Sequence, residues 1–520
     1  MKRCAGIILA GVLLLHVPAW AGYVRGVISA AESGEVTAPM PELIAQAEEG
    51  DAESQFDLGR AYYFGKAFPK DLTAAAMWFR WSADQGYAGA QRMLGVMHFF
   101  GIGMPVNGDE AVEWLSLASK QGDPYAQLVL GVAYEEGRGV ERKPEQAATM
   151  YRLAADAGIP VAATALGAMY LHGEGIQADD NMAFRWLIVA GNQGDSFAQH
   201  LLGRMYAIGQ GIPQNDADAA RWFRLAAEQG EDLAQLALGK CYMGGRGVPK
   251  DENEAAKWYR KAGEQGVVEA QLLLGLLYAF GDEANIDYRE AMTWLRRAAD
   301  AGEVRAQFAV ANMYIAGKGV PRDGIEAVRW LQVAAAKDYA DAEYTLGLLY
   351  LEGLGVRKND AEAARWLLRA AGRGHAKAQY HLGVLYEEGR GVPKYDAAAF
   401  RFYQQAANSG DPAAQNNLAR MYQLGLGVMR NMKQAAYWYQ KAAAQGNPDA
   451  QRNLALLYLD GAHVEKSRVV AYAWLQIASK NGSVMALQNR DSVGASMTPS
   501  ELQHAMELAS TWKPGETIPP

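Results

Sequence analysis

The sequence predicts an all-α fold, an α/α superhelical solenoid of twelve tandem 36-residue helix pairs. Three observations carry that expectation. The segment Ala126-Gln127-x-x-Leu130-Gly131-x-x-Tyr134 recurs every 36 residues with no slip of register, placing Leu58, Leu94, Leu130, Leu166, Leu202, Leu238, Leu274, Val310, Leu346, Leu382, Leu418 and Leu454 at one phase. A second block follows in each unit, exemplified by Ala255-x-x-Trp258-Tyr259-x-x-Ala262, and its aromatic position holds ten of the chain's 13 tryptophans, with Met150 and Phe402 in the other two copies. Small or apolar residues fall at i, i+4, i+5 and i+8 in the first block and at i, i+3, i+4 and i+7 in the second, which is the spacing of one helical face. A fixed period of this length is the signature of a stacked array.

Taken in chain order, the first residues have the form of an export signal: Lys2 and Arg3, an apolar run from Ile7 to Leu15, then the small-x-small sequence Ala19-Trp20-Ala21. Residues 1–21 are assigned to that signal, with cleavage after Ala21. The apolar run is too short to span a bilayer, and no later stretch approaches the ~20 apolar residues a membrane helix needs. Cys4 precedes the apolar run, whereas a lipid-anchoring cysteine sits at the cleavage site. Residues 22–50 form an N-terminal segment with a capping helix at Pro41 to Gly50, residues 51–482 hold the twelve units, and 483–520 supply capping helices and a tail.

Within each unit the punctuation separates two helices. Asp123-Pro124, Asp411-Pro412 and Asn447-Pro448 set an N-cap residue before a proline at the first helical position. Gly-x-Gly pairs such as Gly137/Gly139 and Gly245/Gly247 stop the first helix where a left-handed backbone is needed, and a further glycine, as at Gly122, ends the second. Gly or Ala beside the leucine, as at Gly131 and Ala419, removes bulk so that two helices approach closely, while Trp and Tyr rings fill the space between pairs. One pair alone leaves its apolar faces wet, so stability has to come from stacking. After the twelfth unit the pattern fades through Ala486, and a last helix opens with the capping box Thr498-Pro499-Ser500-Glu501 and closes near Trp512.

Composition narrows the function. Charged residues make up 21% and hydrophobic residues 50%, a globular balance rather than a disordered one. Removing Lys2 and Arg3 moves the formal charge from -8 to -10, which disfavours nucleic acid or anionic lipid as the main partner. Only Cys241 survives cleavage, so no intramolecular disulfide forms in the mature chain, and Cys241 reads as a small apolar group between helices.

Ala-Gln-x-x-Leu-Gly-x-x-Tyr, then Gly-x-Gly-Val, then Ala-x-x-Trp, resembles the Sel-one-like repeat (SLR), a relative of the tetratricopeptide repeat (TPR), over Asp51 to Gly482. The resemblance implies a right-handed superhelix of antiparallel helix pairs acting as an adaptor or scaffold, and exported bacterial members are implicated in envelope complexes, signalling and host contact. Some members carry a cysteine pair in each repeat and are described as penicillin-binding or β-lactamase-like. This chain lacks those cysteines.

No motif for chemistry stands out. The Gly-x-Gly pairs follow a helix, not a strand, and no Gly-Lys-Ser/Thr follows them, so they do not read as phosphate loops. The histidines show no metal-ligand spacing. His98 replaces the recurrent tyrosine as a packing variant, and His375 and His381, six apart on what should be one helix, are expected to point to different faces. The acidic pairs Glu135/Glu136 and Glu387/Glu388 read as solvated surface charge. No nucleophile-base set recurs. The expectation is therefore a non-enzymatic chain without cofactor or metal. The competing classes are an envelope hydrolase of the β-lactamase or peptidoglycan type and a component of a polysaccharide export assembly.

Binding has a definite place. In helix-pair solenoids the first helices line the inner curve, and positions two, six and nine beyond the recurrent Ala lie about opposite the buried stripe at 100° per residue. Across repeats seven to ten these positions include Leu272, Leu276, Phe308, Ile315, Tyr344, Leu348, Leu351, Tyr380 and Val384, whereas elsewhere they include Arg92, His200, Arg204, Lys240, Asn416 and Arg420. Phe308, Tyr344 and Tyr380 on adjacent helices suggest an aromatic ladder for a protein or peptide partner. The alternative is that neighbouring first helices simply cover these residues. Repeat seven lacks the second glycine of its loop, Gly281 to Asp287, at unchanged length, which reads as a bend, a docking loop or tolerated drift. The expected location is the bacterial periplasm or beyond, reached by export.

Overall fold

A computed structural model of the chain describes residues 17–32 and 40–518. Lys2, Arg3, Cys4 and the apolar run of the proposed signal lie outside the described residues, while Ala19-Trp20-Ala21 falls within a helix, Val17–Glu32. Among the described residues there are 28 α-helices, one short 3-10 helix and no strand. None of these helices is long and apolar enough to cross a membrane. The chain divides into two compact units, Met1–Val267 and Val268–Pro520.

The first unit holds helices Val17–Glu32 and Met40–Glu49 and then six helix pairs, from Ala52–Phe64 with Leu72–Asp84 to Asp232–Gly244 with Glu252–Glu264. The second holds six pairs, from Val268–Phe280 with Tyr288–Asp300 to Pro448–Asp460 with Arg468–Lys480, followed by Val484–Gly494 and Pro499–Thr511. The first helices are capped by the residues that open each repeat: Asp123, Asp195, Asp411 and Asn447 each accept a hydrogen bond from the backbone N–H three residues on, at 2.8 Å. Such caps satisfy donors that a helix start otherwise leaves bare. At the far end, Thr498 and Glu501 exchange the two reciprocal bonds of a capping box.

The core runs along the recurrent leucines and alanines. Leu238, Leu274, Val310, Leu346 and Leu418 are fully buried, as are Ala126, Ala255 and Ala378. The glycine beside the leucine has a steric cause, because a Cβ on Gly131 would sit 2.4 Å from the Tyr151 ring. The second glycine of the loop is fixed by backbone contact as well as by conformation. Gly247 has φ +70°, and a Cβ there would lie 1.9 Å from the Asp216 carbonyl oxygen at the start of the previous pair's second helix. In repeat seven, Glu283–Asn285 forms a 3-10 turn instead. The Asp287 N–H still bonds the Tyr278 carbonyl at 3.0 Å, as Asp323 does to Tyr314 at 3.1 Å one repeat later, so the second helix starts at the usual place.

The recurrent glutamine builds a ladder whose role the motif alone did not reveal. In the first unit the amides of Gln91, Gln199 and Gln235 donate to the carbonyl eight residues earlier at 3.0–3.2 Å. Their side-chain oxygens accept from Gln121, Gln229 and Gln265 at 2.8–2.9 Å. In the second unit Gln415 and Gln451 do the same with Gln445 and Asn481. Repeat nine substitutes charge: buried Glu343 takes the glutamine's place and meets Arg373 at 3.0 Å and Arg369 at 2.9 Å. Asp338, where other repeats have glycine, keeps a positive φ of 62° and pairs with the same two arginines.

Candidate protein-binding face

The expected site residues lie on first helices of the second unit, and burial sorts them. Leu272 is fully buried in the core with Ala279, Leu295 and Ala306, so it presents no surface to a partner. Position two beyond the recurrent Ala is turned far enough inward there for an aliphatic chain to join the core. Leu276, Phe308, Ile315, Tyr344, Leu348, Leu351, Tyr380 and Val384 are half-buried, each with part of its side chain on the surface.

Two of the aromatic members are tied to the repeat that follows. Phe308 packs edge-on against Tyr339, centroids 5.4 Å apart, and Tyr344 stacks on His375 at 4.5 Å with the planes 26° apart. Both partners lie 31 residues on, at the N-cap of the next first helix. The same relation recurs in the first unit, where Phe56 meets Tyr87 at 5.0 Å, Arg92 pairs with Asp123, and His200 lies 3.1 Å from Glu231. Position two is thus a seam between repeats, and from Phe308 onward a surface as well. A ring there is held in one orientation by its neighbour, which lowers the entropy lost when a partner covers it.

His375 and His381 do not separate onto different faces as their spacing suggested. His375 is the N-cap residue, outside the helix proper, and its Nδ1 accepts from the Ala378 N–H at 3.1 Å. Its ring therefore escapes the helical phase, and both rings approach Tyr344, His381 at 5.8 Å. His381 also packs against Tyr380 at 5.3 Å, and Tyr380 approaches Tyr403 at 6.0 Å. Burial lowers the pKa of His381 and raises those of Tyr344 and Tyr380. Burial thus favours the neutral form of Tyr344, Tyr380 and His381, which suits them to covering apolar side chains and to donating or accepting single hydrogen bonds.

Glu135 and Glu387 are likewise not solvated surface charges. Glu387 accepts from the Tyr403 hydroxyl at 2.8 Å and pairs with Arg420, and Glu135 accepts from Tyr151 in the equivalent place. Gln423 takes the same bond from Tyr439 at 2.8 Å. A tyrosine sixteen residues downstream was the available signal, since it is the residue beside the tryptophan position. The other members of the two acidic pairs pair with arginines, Glu136 with Arg138 at 3.2 Å and Glu388 with Arg390 at 3.2 Å. Cys241 is buried with Leu238 and Phe223, and burial raises its thiol pKa. Among the described residues no group of three or more His, Cys, Asp or Glu side chains is arranged to hold a metal ion.

The family model described as Sel1 repeat matches twelve consecutive segments, from residues 52–87 to 448–483. Among solved structures, c5321, a protective antigen of uropathogenic Escherichia coli strains with an SLR fold, is 32% identical over 92% of this chain and 94% of its own, with a TM-score of 0.64. A Sel1 repeat protein from Oxalobacter formigenes is 35% identical over 59% of this chain and 90% of its own, with a TM-score of 0.53. No curated protein matches the chain. Twelve matched repeats, an all-helical fold and solved relatives of the same architecture together place this chain in the Sel1 repeat family.

Proposed function

We propose that this chain is an exported, non-catalytic scaffold that holds a protein partner on the first-helix face of repeats seven to ten, the inner curve of such a solenoid. Sel1 repeat solenoids are generally protein-interaction scaffolds. The observation that carries the assignment is a half-buried apolar stripe, from Leu276 through Phe308, Ile315, Tyr344, Leu348 and Leu351 to Tyr380 and Val384, on consecutive first helices of one compact unit. Aromatic anchors already fixed by their neighbours are the side chains that contribute most to an interface. Export rests on the basic, apolar and small-residue segments at 1–21 and accords with a relative described as a protective antigen. The location follows as the periplasm or beyond.

The test is crosslinking of the mature protein in its native envelope followed by mass spectrometry, compared with the Tyr344→Ala/Tyr380→Ala variant. Loss of ~2 kcal/mol per aromatic anchor is expected to remove the principal crosslinked protein. Undiminished capture by the folded double variant overturns the assignment of the face, and turnover of nitrocefin or muropeptides by the purified protein overturns the non-catalytic assignment.

A further inference from the structure

The first unit carries the same face, but there part of it is covered. Position six beyond the recurrent Ala is half-buried in ten of the twelve repeats, and the exceptions are Val96 and Val132, which are 2% and 0% exposed. Position nine is likewise closed at Tyr63 and Phe99. These four residues belong to the first helices of repeats one to three, and they share a core cluster with Val24 and Ile28 of helix Val17–Glu32. That helix packs against Pro124–Glu136, the first helix of repeat three. Arg25 lies near enough to Tyr63, in repeat one, to act on its phenol.

Helix Val17–Glu32 sits on the face as an amphipathic ligand does. Val24 and Ile28 are buried and Val27 half-buried, at i, i+3 and i+4, while Arg25, Gly26 and Ala30 face solvent. Val24, Val27 and Ile28 lie beyond Ala21, so cleavage there leaves them on the mature chain. A short helix laid by its aliphatic stripe into an apolar groove is a general mode of peptide recognition.

We propose that the first-helix face of repeats one to three is a helix-binding site closed in cis by residues 22–32. A partner helix with aliphatic side chains at i, i+3 and i+4 reaches it by displacing that segment. The site differs from the face in the second unit, which has no such cover among the described residues and takes its partner directly. Competition in cis weakens the apparent affinity of the outside helix by the fraction of time the face is open.

The experiment uses a fluorescent peptide of residues 22–32 and three chains: the mature chain from Gly22, the same chain without residues 22–32, and the full mature chain with Val24→Asp/Ile28→Asp. Anisotropy is expected to show saturable binding to the two opened chains and binding at least ~10-fold weaker to the mature chain. A peptide carrying the two Asp substitutions is expected not to bind. Equal binding to open and closed chains, or none to either opened chain, overturns the proposal. Maleimide labelling of Val132→Cys keeps the test independent of the deletion. Labelling is expected to run ~10-fold faster in the Val24→Asp/Ile28→Asp background, because exposure of that position then tracks opening of the segment, and equal rates overturn the proposal. Because neither readout involves Tyr344 or Tyr380, failure here leaves the assignment of the second unit untouched.

Discussion

Glu135 shows how one side chain carries two opposed demands. Burial is the largest influence and raises its pKa; the Tyr151 hydroxyl lowers it, Glu174 and Glu136 raise it, and Arg142 lowers it. A carboxyl whose folded pKa exceeds its unfolded value holds its proton more tightly in the native state. Its contribution is then fully present below the ordinary carboxylate range and is lost as pH rises through the folded pKa. Glu135→Gln removes that loss and keeps an acceptor for Tyr151, as Gln423 does for Tyr439. The variant is expected to melt above the wild type at pH 7 and to lose its advantage near pH 4, by thermal unfolding across that range. An advantage that persists unchanged at pH 4 contradicts the assignment of burial as the cause. The charge state of this residue was not legible from its neighbours in sequence. Glu135-Glu136 looks like a polar helix end, and the first carboxyl's hydrogen-bond partner is a tyrosine on the other helix of the pair.

Between helices the glutamine ladder ties successive pairs together in repeats two, five, six, eleven and twelve, and repeat nine tests what it needs. Glu343 with Arg373 replaces an amide pair by a buried carboxylate and a partly exposed guanidinium, with Arg369 as a second partner. Arg373→Gln alone leaves the carboxylate under-compensated and is expected to cost ~1–3 kcal/mol. Glu343→Gln/Arg373→Gln rebuilds the amide pair found in repeats eleven and twelve and is expected to lie within ~1 kcal/mol of the wild type, because an amide pair escapes the cost of desolvating charge. Urea unfolding of both variants checks the sign, and a double variant no more stable than Arg373→Gln removes the equivalence of the two pairings. The helices themselves were legible: leucine and tryptophan phases, N-cap residues and Gly-x-Gly stops mark their ends because each reflects local backbone chemistry. The direction of His375 was not, since an N-cap residue lies outside the helical phase from which its face was judged.

At the scale of the whole chain, stability in a stack of near-identical pairs is a sum of unit terms and nearest-neighbour contacts. Leu418→Ala empties a fully buried position in repeat eleven and is expected to cost ~2–5 kcal/mol. Native-state hydrogen exchange is expected to show that loss in repeats ten to twelve and not in repeats two to four. Uniform loss along the chain indicates a single cooperative block instead. The repeat number and the stripe from Leu276 to Val384 could be read because a fixed period carries them. The closure of the face in repeats one to three could not: Val24, Val27 and Ile28 lie outside the period, and the residues they cover are about a full repeat or more away in sequence.

The seating of Gly247 on the Asp216 carbonyl recurs at Gly319 on Tyr288 and Gly391 on Asp360, where a Cβ would meet the carbonyl oxygen at 2.0 and 2.1 Å. Each such loop works as a spacer of set length, touching main chain at a distance that leaves no slack. Gaining or losing a single amino acid there would break the seat between that module and the one before it. Adding or removing an entire module would preserve all the joints. A chain assembled this way changes length in whole steps, and its reach toward a partner is quantised by the same contact that holds its neighbours together.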